Sequence, residues 1–231
     1  MPPTVEVAIR PYEARDRAAV RHICFVTGFA GSPVDYQWSD EESFADMFSG
    51  YYTDCEPESS FVAVADGEVK GYLLGCRDSA KAWSPVAPAV RHAVRRGLAF
   101  RPGTAGFIWR AVADALGDRV RHGTRPSDFD FVDPAYPAHL HINLLPEIRG
   151  SGAGGGLITA WLDALRAHGV PGCYLQTLYE NTNAIRFFEA MGFRRHGDPL
   201  LLPGERTPTG ARAHDQTMVR RLGRVSEEAS L

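Results

Sequence analysis

The chain has no Cys-x-x-Cys pair: Cys24, Cys55, Cys76 and Cys173 are scattered through 231 residues. With no secretory signal, that spacing argues against a disulfide frame and a zinc site, and for a reduced, cytoplasmic setting. No apolar run reaches the roughly 18 residues of a membrane span, and residues 1–6 carry no basic-plus-apolar targeting pattern. Positive charge is not in excess either. A formal net charge of −3 speaks against a general polyanion binder, and so against a nucleic-acid module. Internal repeats are absent. What remains is ordinary for a globular protein: 44% hydrophobic and 23% charged residues, in a length able to bury a substantial core as one domain over 1–225. Residues 226–231 read as a disordered tail.

The most informative stretch runs from His139 to Leu157. His139 to Leu145 reads as a strand, stopped by Pro146-Glu147 because proline has no N–H for a ladder. Arg149 to Gly156 is a glycine-rich turn. Leu157, Ile158, Trp161, Leu162 and Leu165 then recur at helical spacing, with Gly169 as the stop and Pro171 beyond. Strand, glycine loop and helix N-terminus, in that order, suit a phosphate or pyrophosphate, because free amides and the positive end of the helix dipole meet there. A plain strand-to-helix turn is the bland alternative. A Walker loop is excluded, since no Lys-Ser or Lys-Thr follows the last glycine. Gly150, Gly152 and Gly155 fit the dinucleotide spacing, but no acidic residue stands about 20 positions on.

Arg149-x-x-Gly152-x-Gly154, preceded by Pro146-Glu147, resembles the acyl-CoA pyrophosphate loop of the GNAT (Gcn5-related N-acetyltransferase) superfamily. A second block, Asn181-x-x-Ala184-x-x-Phe187-Phe188-x-x-x-Gly192-Phe193, is similar to the family's N-x-x-A-x-x-F-Y-x-x-x-G-F helix. The resemblance implies an α/β GNAT fold, with a mixed, mostly antiparallel sheet flanked by helices. It also implies an acetyl-CoA-dependent N-acetyltransferase acting on an amine of a small molecule or a protein. The cofactor contacts it implies are Leu144, Leu145, Arg149, Gly150, Ser151, Gly152, Ala153, Gly154, Asn181, Phe187 and Phe188. For Asn181 a plain helix N-cap is an equal reading.

The rest of the chain is consistent with that fold. Val5 to Arg10 predicts a strand, Arg15 to Phe29 a helix, and Glu41 to about Tyr52 a second helix. Phe61-Val-Ala-Val-Ala and Val69-Lys-Gly-Tyr-Leu-Leu flank Asp66-Gly67, the dipeptide of a tight hairpin. Residues 79–133 form a proline-interrupted insertion between strands 3 and 4, helical near 89–97 and 107–116. Its many arginines make either a solvated surface or a lid over the acceptor pocket that favours an anionic substrate. Gly172 to Tyr179 predicts a strand, Asn183 to Met191 a helix and Ala213 to Arg221 a last strand, with a loop over Leu201 to Arg212. The hairpin, the insertion, Tyr136 to Asn143 and the carboxy-terminal half resemble the acetyltransferase-like domain of animal O-GlcNAcases and its free-standing bacterial relatives. The animal domain has lost the Arg-x-x-Gly-x-Gly loop; this chain keeps Arg149, Gly152 and Gly154.

Acetyl transfer needs a base for the amine, a donor for the oxyanion and a proton for the thiolate. By the resemblance, backbone groups of Asn143, Leu144 and Leu145 meet the pantetheine arm and the thioester. His139 and His141, two apart on a strand, share a face and are base candidates, against the reading of hydrogen-bonded core histidines. Asn143 points the same way, and Glu180 is a further base candidate. The family's usual general acid is a tyrosine at the position held here by Phe188. Tyr179 could substitute. Otherwise solvent protonates the thiolate, or the protein is a catalytically weak acyl-CoA-binding sensor. The acceptor and the oligomeric state are not written in the sequence.

Overall fold

The computed structural model describes residues 6–34, 37–82, 90–91 and 94–223, the side chains of 126–127 excepted. The central sheet has strands β1 (Ala8–Pro11), β2 (Phe61–Ala65), β3 (Glu68–Cys76), β4 (Ala138–Leu144), β5 (Gly172–Leu178), β6 (Arg194–Arg195), β7 (Leu200–Arg206) and β8 (Arg212–Arg221). Their order is β1-β2-β3-β4-β5-β8-β6, with β7 also on β8. β4 and β5 are the parallel pair, and the other pairings are antiparallel. This is the mixed, mostly antiparallel α/β sheet that the sequence predicted.

Each face of the sheet carries its own core, as alternation along the strands demands. On one side lie α5 (Ala153–Ala167) and α6 (Thr182–Ala190). Leu157, Ile158, Trp161 and Leu165 of α5 are fully buried against Leu73, Leu140 and Leu175. Gly75 makes room for the indole: a Cβ there would stand 2.5 Å from Trp161. On the other side α1 (Arg17–Val26), α2 (Glu41–Phe48) and α3 (Gly50–Cys55) cover Tyr72, Leu74 and Cys76.

Several boundaries differ from the sequence reading, the first helix among them, Arg17–Val26 where Arg15 to Phe29 was predicted. The first strand is Ala8–Pro11, and residues 1–5 lie outside the described residues. The predicted second helix is two, broken at Ser49, whose φ of −126° leaves the helical region and whose hydroxyl donates to Ala45 O at 2.6 Å. In the insertion the helix predicted over 107–116 is α4, Thr104–His122. The patch at 89–97 is described only in part, and the tail at 226–231 lies outside the described residues. The predicted loop Leu201 to Arg212 holds β7, an edge strand. Its register breaks between Leu201 and Arg206, so Pro203 and Gly204 (φ +83°) occupy an irregularity rather than a regular ladder, as edge position allows.

The insertion folds back over the outer end of the sheet. Arg206 makes a two-pronged contact with Asp114 of α4 at 2.7 and 2.9 Å, and Arg212 one with Asp118 at 2.6 and 2.7 Å. Arg96 and Arg101 both reach the buried carboxylate of Asp40 at the start of α2. Of the insertion's eight described arginines, Arg96, Arg101 and Arg110 are tied inward, the first two by Asp40 and the third by Gly204 O.

Candidate active site

The parallel pairing of β4 and β5 is short. Ala138 pairs with Cys173 and His139 with Tyr174, and no pair follows among the described residues. Beyond that point the two strands part, and a cleft opens in the middle of the sheet. β3 fixes which backbone groups of β4 face it. Leu145 N–H donates to Lys70 O at 2.8 Å, and in an antiparallel ladder bonded and non-bonded residues alternate. In the register Gly71–Leu144, Tyr72–Asn143, Leu73–Ile142, Asn143 and Leu145 turn their amides toward β3. Leu140, Ile142 and Leu144 turn theirs toward the cleft. The Leu145 amide is thus bonded within the sheet, the Asn143 amide turns the same way, and Ile142, which the sequence reading did not name, faces the cleft beside Leu144.

At the end of the cleft lies the glycine loop. Gly150 and Gly152 have φ of +79° and +90°, values at which a side chain is strained. Gly154 has an ordinary φ, but a Cβ on it would stand 3.1 Å from Phe187 and 3.4 Å from Leu144. Among the described residues the amides of Gly152, Gly154 and Gly155 donate to no backbone carbonyl, and Gly156 N is the first to close a helical turn, on Gly152 O. The Ala153 amide leans on Ser151 Oγ at 3.3 Å, whose hydroxyl donates to Ile148 O. Three free amides converge at a helix N-terminus with no side chain among them, which is the chemistry of a diphosphate cradle. Arg149, exposed at its edge, donates to Leu144 O at 2.9 and 3.0 Å and to Gly31 O at 2.6 Å.

Of the second block, Phe187 reaches the loop, packing beside Gly154. Phe188 is only 6% exposed and sits in the α5–α6 core near Phe193. Asn181 caps α6 through Oδ1, which accepts from Ala184 N at 3.2 Å, leaving its amide nitrogen for other partners.

On the opposite face stand the polar candidates. His139 is held at both nitrogens: Tyr52 Oη lies 2.6 Å from Nε2, and Ser79 Oγ 2.7 Å from Nδ1. The Ser79 hydroxyl already donates to Pro137 O. It therefore accepts from Nδ1–H, and Nε2 accepts from Tyr52 O–H. Burial, then the neighbouring His141, pushes the His139 pKa down to about 3. His141 is hemmed in by protein, which pushes its pKa down to about 4, yet one part of its ring is open to solvent. A ring both deeply set and exposed lines the wall of an open cleft. Asn143 donates to Tyr72 Oη of β3 at 2.9 Å.

Glu180 and Tyr179 lie at the far end of β5. Burial works against the Glu180 charge, but the ring and amide of His214, at 2.7 and 3.1 Å, hold its carboxyl below the usual range. The exposed Tyr179 ring lies between His214 and Arg195. The structure thus groups Tyr179 and Glu180 with His214, apart from the His139–Tyr52 pair.

One buried carboxyl on the face of the histidines escaped the sequence reading. Asp215 of β8 is 9% exposed and takes Gln176 Nε2 at 2.7 Å. Tyr174 touches the His139 ring, with centroids 5.5 Å apart, so Tyr174, Gln176 and Leu178 share the face of the histidines. Asp215 pairs with Leu178 across the ladder and belongs to the same face. Continuing the β4–β5 register sets Gln176 level with His141 across the cleft. Burial raises the Asp215 carboxyl to about 6. Nothing in the local pattern marks this residue. It gains its environment from β7 just before it and from Gln176 of β5, 39 positions away. Elsewhere on this side α4, the α1–α2 loop and the Arg206 end of β7 border an open cavity of about 370 Å³ lined by Phe29, Gln37, Phe107, Arg110, Arg206 and Thr207. Glu205 holds Gln37 there at 3.1 Å.

These groups set the acid response. An ordinary histidine titrates near 6.5, so below that pH the unfolded chain binds protons that His139 and His141 refuse until about 3 and 4. Their contribution is present above pH 6.5 and is lost as the pH falls through those values. Asp215 has the reverse sign: its contribution is present below 3.8 and lost as pH rises through about 6. Glu205, whose carboxyl burial also raises, sides with Asp215, while Asp114 and Asp118, held low by Arg206 and Arg212, side with the histidines; the balance predicts a melting temperature that falls from pH 6.5 to 4, with a shallower fall in His139→Gln. A flat profile in the wild type would contradict this account.

Residues 124–193 match the family model described as Acetyltransferase (GNAT) family. The crystal structure of SsHAT is similar at 29% identity, covering 94% of this chain and 98% of that one, with a TM-score of 0.66. Two more distant structures share the fold. One is the ribosomal-protein-S18-alanine N-acetyltransferase from Escherichia coli, at 16% identity, covering 96% and 97%, TM-score 0.54. The other is yncA from Salmonella typhimurium with acetyl-CoA, at 13% identity, covering 94% of each chain, TM-score 0.53. With the parted strands, the glycine cradle and the sheet order on the page, these matches give one conclusion: the chain has the GNAT fold, and its residues 124–193 carry the match to the Acetyltransferase (GNAT) family.

Proposed function

We propose that the protein is an acetyl-CoA-dependent N-acetyltransferase. The observation that carries this reading is the cleft between β4 and β5, which ends at the free amides of Gly152, Gly154 and Gly155. Those amides and Arg149 would hold the diphosphate, and the cleft-facing backbone of Ile142 and Leu144 the pantetheine arm. Acetyl-CoA supplies an activated acyl group as its thioester. Phe187 walls the loop, and the amide nitrogen of Asn181 is placed to add a contact. Arg149 must leave Gly31 O to reach a phosphate, which couples cofactor binding to the α1–α2 loop.

The acceptor amine enters from the opposite face, by way of the cavity between α4, the α1–α2 loop and β7. Asp215 is the base in this reading. Its buried carboxyl titrates near the pH at which it must accept a proton; Gln176 orients it by donating to Oδ2, and water in the cleft would carry the amine's proton to it. His141 orders water at the cleft, and His139, with both nitrogens engaged, positions β4 and Tyr52. Glu180, bonded to His214, keeps the end of β5 in place. Phe188 has no proton to give, so the thiolate takes one from water in the open cleft.

The second reading, an acyl-CoA-binding sensor with little or no turnover, is favoured by Phe188 in the core. Thiol release measured with a panel of small amines and peptide amino termini separates the two. Turnover that saturates with an amine supports the enzyme. Binding of acetyl-CoA with no thiol release above the hydrolytic background supports the sensor. The nearer likeness to the O-GlcNAcase acetyltransferase-like domain rests on sequence alone.

A further inference from the structure

The cavity bordered by α4, the α1–α2 loop and β7 owes its room to glycine. Gly103, Gly106, Phe107 and Arg110 line it, and their spacing sets them on one side of the start of α4. A Cβ on Gly106 would meet nothing within 4 Å. Two arginines reach this wall, and they differ. Arg206 is spent, with both prongs on Asp114. Arg110 is not. Its Nε donates to Gly204 O at 2.7 Å, and its guanidinium carbon stands 5.7 Å from the centroid of the Phe107 ring. Those two contacts fix the plane of the group. Among the described residues Nη1 and Nη2 donate to no acceptor, and no acid pairs with them. The nearby carboxyl of Glu205 takes its bonds from Gln37 Nε2 instead, at 3.1 and 3.3 Å.

We propose that the acceptor is an amine that also carries a carboxylate, and that Arg110 grips this carboxylate in the cavity while the amine reaches the cleft. The proposal rests on the reading of the chain as a transferase and adds the chemical class of its acceptor. An oriented guanidinium with both Nη groups open at a cavity wall matches the two oxygens of a carboxylate. A phosphate is the poorer fit. A dianion calls for a second cation, yet Arg206 is already neutralised by Asp114, and Glu205 adds a negative field. The position is suitable too. Phe107 and Leu145 pack against the same core, so the cavity lies toward the cleft end of β4. Phe29, on its wall, is bonded to Ser32 around the turn whose Gly31 O holds Arg149. Phe29 and Phe107 give the body of the acceptor two aromatic rings to lie against. A second cationic group on the acceptor would instead be repelled by Arg110.

Calorimetric titration of the full chain with N-acetyl ω-amino acids of graded length, against the matching amides, reads this contact without turnover. It is run with and without coenzyme A. The expected result is tighter binding of the acid than of its amide by about ten- to a hundredfold at the length that spans the cavity. Arg110→Gln should bring that ratio close to one. Thiol release from acetyl-CoA with the free amino acids and their amides should show the same ratio in KM rather than in kcat. Arg110 is half-buried, so Gly106→Asp gives a second route. Its carboxylate enters open space in the first turn of α4, where an acid suits the helix dipole, and should weaken the acids about tenfold with an unchanged circular dichroism spectrum. Equal binding of acids and amides by the wild type overturns the inference, as does binding of neither. So does a preference that survives in folded Arg110→Gln or Gly106→Asp. Turnover of acids and amides alike sinks this inference and leaves the transferase reading standing. Acid-selective binding through Arg110 with no thiol release keeps the site and refutes that reading.

Discussion

Acetyl-CoA at about a hundred times its dissociation constant is expected to raise the melting temperature by roughly 5–10 °C, and Arg149→Glu to erase that rise. Saturation of that order contributes about 2.7 kcal/mol, and in a chain of this length each kcal/mol moves the midpoint by about 2–4 °C. The substitution reverses a charge at the rim of three unpartnered amides, where a diphosphate would meet repulsion in place of a two-pronged contact. Arg149 is exposed, so the ligand-free melting point should stay within a few degrees of the wild type. Differential scanning fluorimetry with and without ligand suffices. No shift in the wild type refutes the cofactor assignment. A shift kept by Arg149→Glu would move the binding energy onto the loop amides alone, and Gly152→Val, which forces a side chain into φ +90°, would then have to abolish it.

Asp215→Asn is expected to lower kcat by about 10²–10⁴-fold, the range for removing a general base. The pH profile identifies the base. With Asp215 acting, kcat rises with pH through an inflection near 6 and becomes level above it, because the carboxyl must be ionised to accept the amine proton. With His141 acting alone, its pKa near 4 leaves the profile flat from pH 5 to 7. Asn keeps the volume of Asp and the bond to Gln176, so the fold should survive. An inflection that persists in Asp215→Asn, or activity within a few-fold of the wild type, removes Asp215 from the mechanism and returns the role to His141.

Much of the site was legible because it is local. The loop around Arg149, Gly152 and Gly154 is one short segment whose function depends on backbone freedom and exposed amides, and the glycines announce both. The hairpin at Asp66-Gly67 was equally plain, with φ of +53° and +78° at the two turn residues. The edge strand β7 was hidden by Pro203 and Gly204, since a breaker reads as a loop unless the partner strand with its irregular register is known. For the histidines the sequence left two readings open. The structure supplies Tyr52 and Ser79 to one and an open cleft to the other, from segments 60 to 87 positions away.

By itself the amino-acid order determined the resemblance to the GNAT fold, most of the strands and helices, and the glycine loop before α5, since each depends on spacing within a short segment. The tertiary structure alone decided which strand amides open on the cleft and that a carboxylate at position 215 would be buried beside it. It also decided that Arg110 would keep a pair of donors open at a cavity wall. The physical reason is common to all three. Hydrogen-bond direction, burial and exposure belong to the neighbours that a residue acquires on folding, and those come from the far ends of the chain.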